Sequence, residues 1–138
     1  MKSKAPLVLM EQIIMVLVFA MAAALCLQAF VLSEKISKQT EARGRAAIEA
    51  QNVAESMKAR GFSEFVKGAE QTAEGFQLFY DATWKMVSAE AAEYVITISP
   101  VHADNAYIWN AEIVVKEQEG AELFRIPVAG QTEVTQDE

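Results

Sequence analysis

The sequence predicts an α+β fold in which one long N-terminal helix packs on a small antiparallel β-meander of four or five strands. Three observations lead to this prediction. An apolar run fills residues 7–32, a proline-free stretch rich in helix-forming residues fills 33–61, and runs of alternating apolar and polar residues follow in 62–130. A sheet must bury one face, and the 33–61 helix is the only long element available to cover it.

The predicted organisation has five segments along the chain. They are a basic cytoplasmic leader at 1–6, the transmembrane half of the long helix at 7–32, its extracytoplasmic half at 33–61, the β-sheet domain at 62–130 and a disordered tail at 131–138. The tail is predicted to be disordered because it has almost no apolar surface to bury.

The apolar run of residues 7–32 is long enough to cross a membrane. Its only ionisable side chains are Glu11 and Cys26. As a helix it covers about 39 Å, whereas a bilayer has a hydrocarbon core of about 30 Å. Lys2 and Lys4 precede it, so the positive-inside rule places the N-terminus in the cytoplasm and the C-terminal domain outside. We therefore expect a single-pass protein of the cell membrane whose span contacts lipid.

A cleavable secretory signal is the alternative interpretation of this run. Small residues from Ala20 to Ala24 offer a cleavage site, and cleavage would release a secreted β domain. The apolar residues continue well past that point, however, whereas the core of a signal peptide usually spans about 7–15 residues.

Glu11 is the one acidic residue inside the apolar run. It lies about 6 Å of helix past Leu7, so its carboxylate can extend to the cytoplasmic headgroups near Lys4. An acid inside a membrane span should otherwise have a specific partner.

The segment PLVLMEQIIMVLVFAMAAALCLQAF resembles the N-terminal segment of type IV pilins and type II secretion pseudopilins. That family has a short basic leader, a cleavage point for a prepilin peptidase, and an apolar helix whose fifth mature residue is glutamate. The match makes Pro6–Leu7 the candidate cleavage point and Glu11 the fifth mature residue. The resemblance implies that Glu11 attracts the amino group of a neighbouring subunit's first residue and sets the register of a filament.

The resemblance implies a structural subunit, either a pseudopilin or a minor pilin, of a type IV pilus, a type II secretion system or a DNA-uptake filament. Its partners would be other pilin-like subunits, membrane lipid and a prepilin peptidase. The family's cleavage follows glycine or alanine, whereas this chain has Pro6 at that place. An alternative is therefore an uncleaved bitopic membrane protein whose extracytoplasmic β domain binds or senses a partner.

The extracytoplasmic half of the helix carries a narrow apolar stripe. Its residues recur at helical spacing and are Ala46, Ala50, Val53 and Met57. Gly61 follows Lys58 and Arg60 and is a typical stop signal. The helix is therefore predicted to run from about Leu7 to Arg60, with a stripe of mostly small residues that lets the sheet approach closely.

The sheet is predicted from period-two alternation after a short helical turn and loop at residues 62–75. The alternating runs are Gly75–Asp81, Thr83–Val87, Glu93–Ser99, Ala106–Glu117 and Ala121–Ala129. The turn at Glu117–Gly120 predicts a hairpin. Pro100 is predicted to end its strand, and Pro127 indicates an edge strand or a strand end.

Four aromatic residues fall on alternating positions of these runs: Trp84, Tyr94, Tyr107 and Trp109. Alternation predicts that they pack in the core, and a binding surface is the alternative.

Several function classes have no support in the sequence. The net charge of −7 and the absence of a basic patch argue against direct nucleic-acid binding. A single cysteine and a single histidine exclude the usual zinc frameworks and an internal disulfide. No nucleophile elbow, phosphate loop or paired-carboxylate motif is present. We expect no catalytic residue, no metal and no cofactor.

Overall fold

A computed structural model describes residues 4–132 of the chain. Helix α1 spans Ala5–Arg60, and a single turn of helix, α2, spans Phe62–Phe65. The strands are β1 (Glu70–Thr72), β2 (Gly75–Tyr80), β3 (Tyr94–Val101), β4 (Ile108–Glu117) and β5 (Glu122–Gln131). The chain forms two compact units, one up to Glu41 and one from Ala42 onward, and each is described by itself.

Helix α1 begins two residues earlier than predicted and ends where predicted. Pro6 is tolerated in the first turn because a backbone N–H at that position has no partner inside the helix. The Val8 N–H donates to the Lys4 carbonyl over 3.3 Å. At the other end Gly61 adopts a φ of 80°, which glycine accepts without steric cost. The last turn carries Lys58 and Arg60, which complement the negative end of the helix dipole.

The five strands form one antiparallel meander in the order β1-β2-β3-β4-β5, which confirms the predicted α+β fold class. Cross-strand pairs bring apolar residues side by side on the face that packs on α1. One row is Leu78, Ile96, Val115 and Phe124, and another contains Ile98, Ile113 and Ile126. The strand β5 is an edge strand, as Pro127 predicted, and the predicted hairpin connects β4 to β5.

The apolar stripe of α1 supplies the other half of the core. Its four predicted members are confirmed as buried, with Ala46, Ala50 and Met57 fully inaccessible to solvent and Val53 nearly so. They meet the strand residues that are also fully inaccessible, which are Ile96, Ile98, Ile113 and Val115. Alanine at positions 46, 50 and 54 of the helix takes up little space, so the larger side chains of the sheet fill the core against it.

The prediction of a strand at Thr83–Val87 is wrong. The Asp81 carboxylate accepts hydrogen bonds from the backbone N–H groups of Thr83 and Lys85 and from the Thr83 hydroxyl. These bonds, the Lys85 N–H first, hold the pKa of Asp81 below its usual value. They close a tight turn in which Trp84 adopts a φ of 61°, so the segment cannot extend. Met86 keeps only an isolated bridge to Tyr80.

Two strand boundaries also differ from prediction. The 62–75 segment contains α2 and a 3₁₀ turn, as predicted, but also the polar strand β1, which was not predicted. The strand β3 continues through Pro100 to Val101 instead of ending at the proline. The pairing of β2 with β3 reaches only as far as Ile98, so Pro100 has a neighbouring strand, β4, on one side only, and a residue without an N–H is tolerated there.

The sheet extends one residue further toward the C-terminus than predicted. Strand β5 reaches Gln131, which the sequence assigned to the disordered tail. The rest of that predicted tail, from residue 133, lies outside the described residues.

Three of the four aromatic residues pack against the core, as alternation predicts. Trp84 stacks on Tyr94 with ring centroids 4.3 Å apart, and Trp109 packs on Phe62. The prediction is wrong for Tyr107, which is 64% exposed because β4 begins one residue after it.

Candidate functional site

The candidate site is the apolar segment of α1, which we define as Leu7–Leu32. Among the described residues, α1 is the one helix long and apolar enough to cross a membrane, with a mean hydropathy of 2.6 in its most apolar window. None of that window is buried within the chain, and the two phenylalanines Phe19 and Phe30 are at least 70% exposed. A soluble monomer rarely exposes an apolar surface of this extent, which makes the segment a candidate membrane span by its length and composition.

Glu11 lies in the second turn of α1, on the surface of the helix. Its neighbours on that surface are apolar: Leu7, Met10, Ile14 and Met15. Within residues 4–132 the structure gives its carboxylate no hydrogen bond and no ion pair. The site therefore presents an acid, framed by apolar side chains, whose partner is not supplied by the described part of its own chain.

The structure places Pro6 and Leu7, the candidate cleavage point, within the first turn of α1. Leu7 is one helical turn before Glu11 and lies beside it. Lys4 directly precedes the helix and lies seven residues before Glu11. The predicted site residues are thus brought together along one short stretch of helix, and cleavage between Pro6 and Leu7 stays a prediction.

The sheet domain carries a charged cluster of Arg125, Glu112 and Glu122 that was not predicted from the sequence. Arg125 donates through Nη1 to Glu112 over 2.9 Å and through Nη2 to Glu122 over 2.7 Å. The Glu122 bond, and then the Glu112 bond, raise the pKa of Arg125, and the same Arg125 hydrogen bond lowers the pKa of Glu122. Arg125 stands between the core-facing residues Phe124 and Ile126 in the sequence, so alternation predicts that it lies on the face away from the core. The cross-strand partner depended on the strand register, which the sequence alone does not supply.

A shallow acidic surface lies where β3 begins and β4 ends. It contains four carboxylates, from Glu90, Glu93, Glu117 and Glu119. Within residues 4–132 no set of three or more histidine, cysteine or acidic side chains is arranged to hold a metal ion. This surface therefore carries negative charge without the geometry of a metal site.

Comparisons with protein-family models, curated proteins and solved structures found no match to this chain. Two features stand out: an acid in an exposed apolar segment that has no ion pair within residues 4–132, and a continuation of the same helix that forms half of the core of a β domain.

Proposed function

We propose that the chain is a pilin-like structural subunit, a pseudopilin or a minor pilin, of a type IV pilus, a type II secretion system or a DNA-uptake filament. The apolar segment anchors it in the cell membrane, with the N-terminus cytoplasmic and the sheet extracytoplasmic. The observation that carries the proposal is that one helix, Ala5–Arg60, supplies both the apolar segment with Glu11 and the stripe that covers the sheet.

The exposed apolar segment supports assembly with other copies or other pilin-like subunits. The hydrocarbon tails of lipid accommodate its aliphatic side chains but offer the Glu11 carboxylate no partner. An acid held in a membrane is stabilised when it faces a positive group, and the described part of the chain offers Glu11 no such pair. In a pilin-like assembly a neighbouring subunit would supply this positive group.

The sheet domain fits a structural role. Its core is closed by α1, and no catalytic residue is proposed for it. The charged cluster around Arg125 and the acidic surface at the end of β4 give it a polar exterior suited to water and to other subunits of an assembly.

The second candidate is an uncleaved bitopic membrane protein whose extracytoplasmic β domain binds or senses a partner. Pro6 is the observation that favours it, because the related family cleaves after glycine or alanine. N-terminal sequencing of the membrane-extracted protein bears on this directly. A chain that starts at Leu7 supports processing by a prepilin peptidase and the pilin-like function, whereas an intact leader leaves both candidates standing and moves the decision to Glu11.

The deciding experiment compares Glu11→Ala with Gln12→Ala, its immediate polar neighbour on a different side of the helix. Two differently tagged copies of the full chain are co-expressed, crosslinked in the membrane and purified through one tag. We expect Gln12→Ala to co-purify the second copy like the native protein, and Glu11→Ala to lose it while remaining in the membrane fraction. Normal co-purification of Glu11→Ala would contradict the proposed role of Glu11 in assembly.

A further inference from the structure

Strand β5 forms one edge of the sheet, and among residues 4–132 no strand pairs with its free side. It is 10 residues long, whereas the strand at the opposite edge, β1, has only 3 residues and offers few backbone groups for pairing. A long unpaired strand exposes a row of N–H and C=O groups that can pair with a strand of another molecule. The free edge of β5 is therefore the part of the sheet most open to association with a strand of another molecule.

A hydrogen bond directly after β5 shows which of its residues face that edge. The Thr132 N–H donates to the Tyr107 carbonyl over 2.9 Å and so points toward the β4 side. In an antiparallel strand the N–H and C=O of one residue point to the same side, and the side alternates from residue to residue. The pairing with β4 is regular from Gln131 back to Phe124. Four residues therefore direct their backbone groups toward the free edge: Arg125, Pro127, Ala129 and Gln131.

Pro127 stands in the middle of this free edge. It lies opposite Glu112 of β4, in a pair whose backbone groups point away from each other. Because proline has no N–H, the ladder between β4 and β5 loses no bond, whereas the free edge loses a donor at its centre. The proline ring takes the place of the missing hydrogen and obstructs the approach of another strand.

The rest of the β5 edge favours pairing. Phe124 and Ile126 are only partly buried against the core, so an added strand would cover them further. Charged side chains are a common protection of sheet edges, but residues 126–131 contain none. The one basic side chain of β5, Arg125, is hydrogen-bonded to Glu112 and Glu122 within its own sheet. Pro127 is therefore the main obstacle to pairing along this part of the strand.

We propose that Pro127 prevents the free edge of β5 from pairing with the same edge of a second copy of the chain. A second copy is the partner that is excluded, because two identical edges can pair antiparallel about a two-fold axis. This inference goes beyond the proposed function and does not depend on it. Both candidate functions hold many copies in one membrane, where the sheet domains meet at a high effective concentration.

One substitution restores the missing donor and tests the proposal. Pro127→Val supplies an N–H together with a residue that favours strands. The matched control is Ala129→Val, which adds valine at the next edge-facing position without adding an N–H. Both are made in the full chain carrying Glu11→Ala, the parent, and their masses are measured in detergent by light scattering. We expect dimers or larger species from Pro127→Val and the mass of the parent from Ala129→Val.

Amide hydrogen exchange locates the new contact. Pairing through the β5 edge protects the N–H groups that point toward it. In Pro127→Val the amides of Arg125, Ala129 and Gln131 are therefore expected to exchange about tenfold or more slowly than in the parent. Unchanged exchange at these amides in a chain that associates would place the contact elsewhere and overturn the proposal.

A second proline tests whether the association runs through this edge. Ala129→Pro, added to Pro127→Val, again removes an edge-facing N–H and none from the ladder with β4, so we expect the mass to return to that of the parent. Association that survives Ala129→Pro, or a Pro127→Val chain with the mass of the parent, would overturn the proposal. If the fluorescence of Trp84 and Trp109 shows that valine disturbs the fold, Pro127→Thr carries the same expected result and the same refutation.

The outcome is separate from that for Glu11. If the role proposed for Glu11 is wrong, the parent itself still associates, and its mass in light scattering shows this. The effect of Pro127→Val is then still measured as the difference from that parent and from Ala129→Val.

Discussion

Replacing Ala50 by leucine inserts a branched side chain at a point where helix and sheet leave none of the alanine exposed. Met57, Ile96 and Ile113 belong to the same core cluster and are equally inaccessible, so the core around the helix has little room to yield. Overpacking of such a site typically costs about 1–3 kcal/mol of unfolding free energy. Leucine is close to alanine as a helix former, so the loss measures packing and not helix propensity.

The expected loss corresponds to a large shift in thermal stability. For a domain of about 100 residues, each 1 kcal/mol lowers Tm by about 4–8 °C, so Ala50→Leu should melt about 4–24 °C below the native protein. Fluorescence of Trp84 and Trp109, both partly buried against the core, reports the transition in the detergent-solubilised full chain. Ala59→Leu, on an exposed position of the same helix, is the matched control and should melt like the native protein. Equal melting of Ala50→Leu and Ala59→Leu would refute the close packing of helix on sheet.

Three further predictions concern the stability of the sheet and of the part of α1 that packs on it. Met57→Ala should lower the unfolding free energy by about 2–5 kcal/mol in a denaturant titration, because it empties a fully buried position. Gly75→Ala should lower the unfolding free energy by more than about 1 kcal/mol, because a φ of 134° disfavours a side chain and the new Cβ would lie 2.3 Å from the carbonyl oxygen of Ile98 in β3. Gly68→Ala is the control and should leave the unfolding free energy unchanged, because the space around Gly68 is open. The pKa of Asp81 is lower in the folded state than in the unfolded state. The ionised carboxylate therefore stabilises the fold at a pH above the unfolded-state pKa, and this stabilisation is lost as the pH falls through the folded-state pKa. The acid branch of a stability–pH curve below about pH 4 should therefore be flatter in Asp81→Asn than in Asp104→Asn.

The helix and the core could be predicted from the sequence because their signals are long and periodic. The apolar run extends over residues 7–32, and the stripe from Ala46 to Met57 recurs at helical spacing, so one exceptional residue does not change either prediction. Strands β2 to β5 could be predicted for the same reason, since each alternates over at least six residues and its apolar side meets the stripe.

The predictions that were wrong or incomplete depended on contacts that the local pattern does not carry. Strand β1 is three polar residues long and exists only because β2 pairs with it. The Trp84–Met86 alternation imitated a strand, but the Asp81 carboxylate captures the backbone there and closes a turn. Pro100 is tolerated in β3 because β2 pairs with β3 only as far as Ile98 and leaves one side of Pro100 without a neighbouring strand.

The sequence predicted which residues form the candidate site but not which group pairs with Glu11. Glu11 and Leu7 lie side by side because helix geometry requires it. The partner of Glu11 could not be derived from one chain, since the described part of the chain does not supply one. The register of assembly therefore has to be measured between molecules.

The most direct test of the central claim, that Glu11 draws subunits together in the membrane, is energy transfer between donor-labelled and acceptor-labelled full chains in lipid vesicles. The native chain is predicted to show transfer well above that of an unrelated single-span protein at the same density in the vesicles, and Glu11→Gln is predicted to fall to that reference level. Transfer in Glu11→Gln equal to that of the native chain would contradict the claim.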